Sequence, residues 1–146
     1  MKKNILLLIM YMLFVSLMTE VVLPQSTQQS FCRTGLNIPI NDHSSVRDSV
    51  NVVLGDGCIV NDVNAILTNI SHTWVSDLRI YLRKGNTGTM IVNFVGGSGD
   101  NFVNTILDDS ALIPLASGIA PFTGTYRPSS PLTPFNGIST DGYWKI

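Results

Sequence analysis

Glutamate is nearly missing from this chain of 146 residues: Glu20 is the one example, and every other acid is Asp. Asp favours turns and loops where Glu favours helices. Charge of one sign is missing as well. With Lys2, Lys3 and Glu20 set aside as part of a leader, seven basic and nine acidic residues remain, a formal charge of −2. No polybasic patch or run of like charge is visible, which argues against nucleic acid and anionic membrane as partners. Two cysteines and two histidines, His43 and His72, show no zinc-ligand spacing.

Long apolar runs are also scarce. The single one covers residues 5–18, behind Lys2 and Lys3, and Thr19-Glu20 interrupts it. Those fourteen residues fall short of the ~20 that span a bilayer, so the segment reads as a signal peptide rather than an anchor. The organisation expected is a signal peptide over 1–25, a polar lead-in over 26–37 and one domain over 38–146. A secreted product with no membrane attachment after cleavage follows. About 120 residues suffice for one domain with one core.

In an exported chain the pair Cys32 and Cys58 reads most simply as a disulfide. In the chain-entropy model it would contribute roughly 3–4 kcal/mol. Two unpaired thiols are the alternative. Asn69-Ile70-Ser71 is a sequon, which makes Asn69 a glycosylation candidate.

What the chain does have is period-two alternation. Positions 50, 52 and 54 share a face before the turn Gly55-Asp56-Gly57, and 63–70 follows as a second strand. Leu78, Ile80 and Leu82 alternate with Arg79, Tyr81 and Arg83. After the turn at 84–88 the chain returns through 89–94. These are half-buried antiparallel strands, and their spacing indicates an all-β sandwich or jelly roll. Residues 94–137 are too rich in Pro and Gly for helix, and too rich in large apolar residues for a linker. They read as a long structured loop held by its own aromatics. Only 101–113 accommodates a helical turn. Alternation resumes at Gly142-Tyr143-Trp144, with Trp144 and Ile146 inward, as if the last hairpin were half complete and left an unpaired edge.

His72-Thr73-Trp74-Val75-Ser76-Asp77-Leu78-Arg79-Ile80-Tyr81-Leu82 resembles the signature of the P domain, or P/Homo B domain. That module follows the catalytic domain in kexin- and furin-like proprotein convertases and in secreted bacterial subtilisin-like serine proteases. Gly96-Gly97-Ser98-Gly99-Asp100-Asn101-Phe102, Leu107-Asp108-Asp109-Ser110-Ala111, Ala120 to Pro128, Phe135-Asn136-Gly137 and Gly142-Tyr143-Trp144 fall in the family's order. Ser76 stands where the family usually has Gly. The resemblance implies an eight-stranded, galactose-binding-like jelly roll, with a C-terminally incomplete domain here. It also implies an accessory role beside a subtilisin-like protease domain or another extracellular protein. The structural motif residues would be His72, Gly96, Gly97, Asn101, Gly124, Tyr126 and Trp144. A fragment of a secreted subtilisin-like endopeptidase and a free-standing extracellular binding module are the rival readings.

A catalytic centre is not expected. Gly96-Gly97-Ser98-Gly99-Asp100 departs from a nucleophile elbow at position 100 and no helix follows. No cofactor is required. Calcium is the one candidate ion, with Asp77, Asp100, Asp108 and Asp109 beside turns whose carbonyls could share in binding. Adjacent Asp108 and Asp109 repel each other unless one is hydrogen-bonded, neutralised or metal-bound.

Overall fold

The computed structural model describes residues 26–146 apart from 42 and 56. The expected leader, 1–25, lies outside the described residues. Seven strands run through the described residues: β1 (Ser49–Val52), β2 (Ala65–Ile70), β3 (Arg79–Lys84), β4 (Thr87–Asn93), β5 (Phe102–Leu107), β6 (Phe122–Tyr126) and β7 (Gly142–Lys145). Among the described residues the helical content is three 3₁₀ turns, Val75–Asp77, Leu115–Ser117 and Thr133–Phe135. The strands form two sheets, β1-β7-β3-β4 and β2-β5-β6. Residues of both sheets bury one shared cluster that includes Leu67, Ile91, Val92, Phe102, Leu107 and Phe122, so the architecture is an all-β, two-sheet sandwich.

The alternation in β3 does what the sequence suggests. Leu78 is buried, Ile80 and Leu82 pack against the core, and Arg79, Tyr81 and Arg83 stay outside. Lys84 pairs with Thr87 across the two-residue turn Gly85-Asn86, and Gly85 supplies the positive φ such a turn needs. The β3–β4 register then shifts by one residue between Ile80 and Tyr81. This bulge lets the consecutive residues Ile91 and Val92 both reach the core, each fully buried.

Three groups of expectations need correction. The stretch 101–113, the one candidate for helix, holds strand β5 instead. Asn104, at φ 49°, breaks its alternation, so Phe102 and then Thr105 and Leu107 turn inward. β5 is antiparallel to β2 but parallel to β6, and 108–121 carries the chain across between them. The structured loop expected at 94–137 therefore contains two strands, with the rings of Phe102 and Phe122 stacked at 4.8 Å inside it. The expected β1–β2 antiparallel pair is also not formed, because the two strands belong to different sheets.

The last strand is the second correction of consequence. β7 is not a hairpin half with an open edge: it lies between β1 and β3 and pairs with both. The Trp144 ring packs 5.2 Å from Phe135, as an inward residue should, whereas Ile146 stays partly exposed.

The third concerns sulfur. Cys32 and Cys58 stand as separate, exposed thiols rather than a disulfide. The lead-in bearing Cys32 is tied through Arg33, which meets Asp48 at 3.4 Å and the Ser49 carbonyl at 3.4 Å, at the start of β1. Cys58 sits past the other end of β1, where its carbonyl accepts the Thr140 amide. That separation runs against the ~4.4–6.8 Å Cα distance a disulfide requires.

Candidate functional site

His72, Asn101 and the glycine turn at 96–99 meet where β2 ends and β5 begins. His72 and Asn101 lie 29 residues apart and hold each other twice. The Asn101 amide donates to the His72 carbonyl at 3.1 Å, and the His72 amide donates to Asn101 Oδ1 at 3.0 Å. Asn101 sits at φ 67°, a left-handed conformation that Asn tolerates better than most residues. Its own carbonyl accepts the Phe122 amide at 3.0 Å, so one residue joins the β2 exit, the β5 start and the β6 start. The His72 ring folds back on its own loop. Nδ1 stands 2.9 Å from the Trp74 carbonyl and 3.2 Å from the Trp74 amide, donating to one or accepting from the other according to tautomer.

The glycine turn closes on the same place. The Gly99 carbonyl accepts the Val75 amide at 2.9 Å and the Gly97 carbonyl accepts that of Ser76 at 3.3 Å. Gly96 combines φ 89° with an approach so close that a Cβ there would lie 2.6 Å from both Phe122 and Val75. Ser98 is an exposed residue of this turn. Gly124, at φ 95°, pairs with Thr105 where the β5–β6 register shifts. Tyr126 sets its ring edge against Phe122 at 5.7 Å.

A second clasp forms around Asp109. Its carboxylate accepts the Leu132 amide at 3.0 and 2.8 Å and the Thr133 amide at 3.0 Å, fixing the start of the turn Thr133–Phe135. Asp108 accepts the Ser110 amide at 2.7 Å and the Asn64 side chain at 3.4 Å. Hydrogen bonding to separate loops thus relieves the expected repulsion within the pair. Asp77 and Asp100 are exposed in the first cluster. Among the described residues no three His, Cys, Asp or Glu side chains form a group that could hold a metal ion.

Sequence reasoning missed a third clasp. Asp141 takes the Leu54 amide at 2.8 Å, the Gly55 amide at 3.1 Å and the Thr140 hydroxyl at 3.2 Å. Lys84 Nζ donates to the Asp141 carbonyl and lies 5.4 Å from the Trp144 ring centre. The Leu54 hydrogen bond, joined by those from Gly55 and Thr140 and by the Lys84 charge, holds the Asp141 carboxyl below its ordinary value against the opposing effect of partial burial. The run Ser139-Thr140-Asp141-Gly142 is the signal that could have marked this turn. Thr105 was missed for a different reason. It is a fully buried hydroxyl, satisfied by the Phe122 carbonyl at 2.7 Å.

Comparison with protein-family models, curated proteins and solved structures gave no match. Function must therefore be argued from the clasps and surfaces themselves. Asn69 is exposed on β2, which is an edge strand, so its amide is open to the solvent that a glycosylating enzyme would approach from.

Proposed function

We propose that this chain is an exported, non-catalytic module of the P/Homo B type, with jelly-roll connectivity, that packs against a subtilisin-like serine-protease domain and stabilises it. The observation that supports this best is the use made of the motif residues. His72 and Asn101 hold each other, Gly96 admits the Phe122 ring, and Asp109 holds the amides of Leu132 and Thr133. Each is engaged in shaping a loop framework, as a docking module requires. Export rests on the leader expected at 1–25, and neither a metal nor a cofactor enters the reading.

The test has two arms. The chain, freed of its leader, is mixed with the catalytic domain of a subtilisin-like convertase, and thermal unfolding of that domain is followed. A ligand that binds the folded state at 100 times its Kd stabilises by about 2.7 kcal/mol, so a rise of several degrees in Tm is expected. The chain alone should neither hydrolyse a peptide nor take up a fluorophosphonate. Labelling of Ser98, or an unchanged Tm at saturating concentration, would overturn the reading.

A further inference from the structure

Like charges meet on the outer face of the four-stranded sheet. Arg83 on β3 and Lys145 on β7 are direct cross-strand partners, and both are exposed. Such a pair repels and costs stability. Their neighbours on the same rung are uncharged, Ser49 on β1 and Gly88 on β4. Arg83 lies across Gly88, its Cγ and Nε 3.1 and 3.2 Å from where a Cβ there would stand. Asp48 and Ile146 exchange both amide hydrogen bonds, at 3.0 and 2.9 Å, so the β1–β7 ladder runs on past Ser49. Arg47, also exposed, thereby joins the outward series, diagonal to Lys145. These three cations gather without a carboxylate. The one ion pair among the described residues is Arg33–Asp48, and the Asp141 carboxylate is held by the Leu54 and Gly55 amides. Arg79 is outward too, but it is engaged by the Phe94 ring at 5.0 Å. Exposed tyrosines flank the cationic rung: Tyr143 lies two residues from Lys145, and Tyr81 two residues from Arg83. Because β3 and β7 are antiparallel, the two rings stand on opposite sides of the cation pair, each roughly 7 Å along the strand direction.

We propose that this face binds a sulfated polysaccharide, with its sulfate groups held by Arg83, Lys145 and Arg47 and its sugar rings laid on Tyr81 and Tyr143. An anion over the rung relieves the repulsion between Arg83 and Lys145. A sulfated glycan alternates charged groups with ring faces, whose C–H bonds pack on aromatic rings, and with hydroxyls that the outward Ser49 and Asn51 side chains can hydrogen-bond. A nucleic acid carries a charge on every nucleotide and calls for a basic groove that tracks its backbone. Here the free cations are confined to one rung and its diagonal. The fold assembles them from residues far apart in the chain, so no run of like charge marks the site in the sequence. The proposal does not rest on any link to a protease.

The probe is a heparin-derived decasaccharide, titrated into the ¹⁵N-labelled chain, with unsulfated dextran, decathymidylate and deca-glutamate as its counterparts. The sulfated sugar should shift the amides of Arg83, Tyr143 and Lys145, bind more weakly as salt is raised, and outcompete all three counterparts. Arg83→Glu turns the like-charged pair into an opposite-charged one. It should therefore raise Tm while weakening decasaccharide binding by about tenfold. A variant that is more stable and binds less cannot be explained by misfolding. Tyr143→Ser keeps every charge and should weaken the decasaccharide by about fivefold while leaving deca-glutamate unaffected. No binding of the decasaccharide, or equal binding by wild type and Arg83→Glu, would sink the proposal. Decathymidylate or deca-glutamate binding as tightly as the sulfated sugar would assign the face to another polyanion and overturn it equally.

Discussion

Asn101 accepts the His72 amide through its side chain and returns its own amide to the His72 carbonyl, at 3.0 and 3.1 Å. The two residues are far apart in sequence, and β2 and β5 are adjacent strands whose pairing ends at Ile70 and Phe102. The clasp therefore closes the ladder at its last rung. Asn suits both demands at once, the acceptor oxygen and the left-handed backbone.

Substitutions at this position separate the two demands. Asn101→Gly keeps the backbone at ease and removes the acceptor, leaving the His72 amide unpartnered at a cost of about 1–2 kcal/mol. Asn101→Val adds the strain of a β-branched residue at positive φ and should cost about 1–3 kcal/mol more. Urea unfolding of the three proteins checks the order. Equal midpoints for wild type and Asn101→Gly would show that the hydrogen bond adds nothing.

Gly96 is the least replaceable glycine. A methyl group there meets Phe122 and Val75 at 2.6 Å, and both neighbours are fully buried and have little room to withdraw. Overpacking and positive φ together put Gly96→Ala at about 2–5 kcal/mol of destabilisation. Gly97→Ala is the control, with φ 58° and open space around its Cβ position, so it carries backbone strain alone and should cost less. Comparable Tm losses for the two variants would refute the steric part of this account.

The contrast between β3 and β5 shows where the sequence is readable. In β3 the inward residues are Leu78, Ile80 and Leu82, an unbroken alternation, and the strand lies where period two places it. In β5 the inward residues are Phe102, Thr105 and Leu107, because Asn104 takes a positive φ and shifts the phase by one. A polar residue at 105 then occupies a core position that no hydrophobic pattern marks. β4 hides a bulge in the same way at Ile91. The clasps were partly legible: Asp109 and Asn101 stood out beside turns, but their partners at Leu132 and His72 are long-range and leave no periodic trace. The place of β7 between β1 and β3 depends wholly on such long-range pairing, which is why its strand was visible in the sequence and its neighbours were not.

Asp109 gives a third prediction. Its carboxylate fixes two consecutive amides, Leu132 and Thr133, ahead of the buried Phe135. Asp109→Ala leaves both donors without that partner and should cost about 1–3 kcal/mol. Asp109→Asn retains one acceptor and should fall between. Amide exchange at Leu132 and Thr133 reads the loss directly. Unchanged protection in Asp109→Ala would mean the carboxylate is incidental.

The two cysteines predict a chemical outcome. As exposed, separate thiols, Cys32 and Cys58 should both react with a thiol reagent in the folded protein without denaturant. An intact mass two hydrogens lower, with no reactive thiol, would restore the disulfide to this fold.

Asp141 makes stability depend on pH in a definite direction. Its carboxyl is held below the ordinary value in the folded protein, chiefly by the Leu54 amide. A depressed folded value means the carboxylate stabilises the fold above the unfolded carboxyl value of ~3.9, and that this contribution fades as pH falls through the folded value. Asp141→Asn should therefore lower the denaturation midpoint at pH 6. Its difference from wild type should shrink progressively below about pH 4. The same acidification should release the loop it holds, so exchange at the Leu54 and Gly55 amides should quicken in wild type over that window while the variant exchanges fast throughout. Lys84 and the Thr140 hydroxyl also face this carboxylate, so Lys84→Met should move the window upward without removing it. A wild-type-to-variant difference that stays constant down to pH 2 would leave the Asp141 clasp without a role in stability.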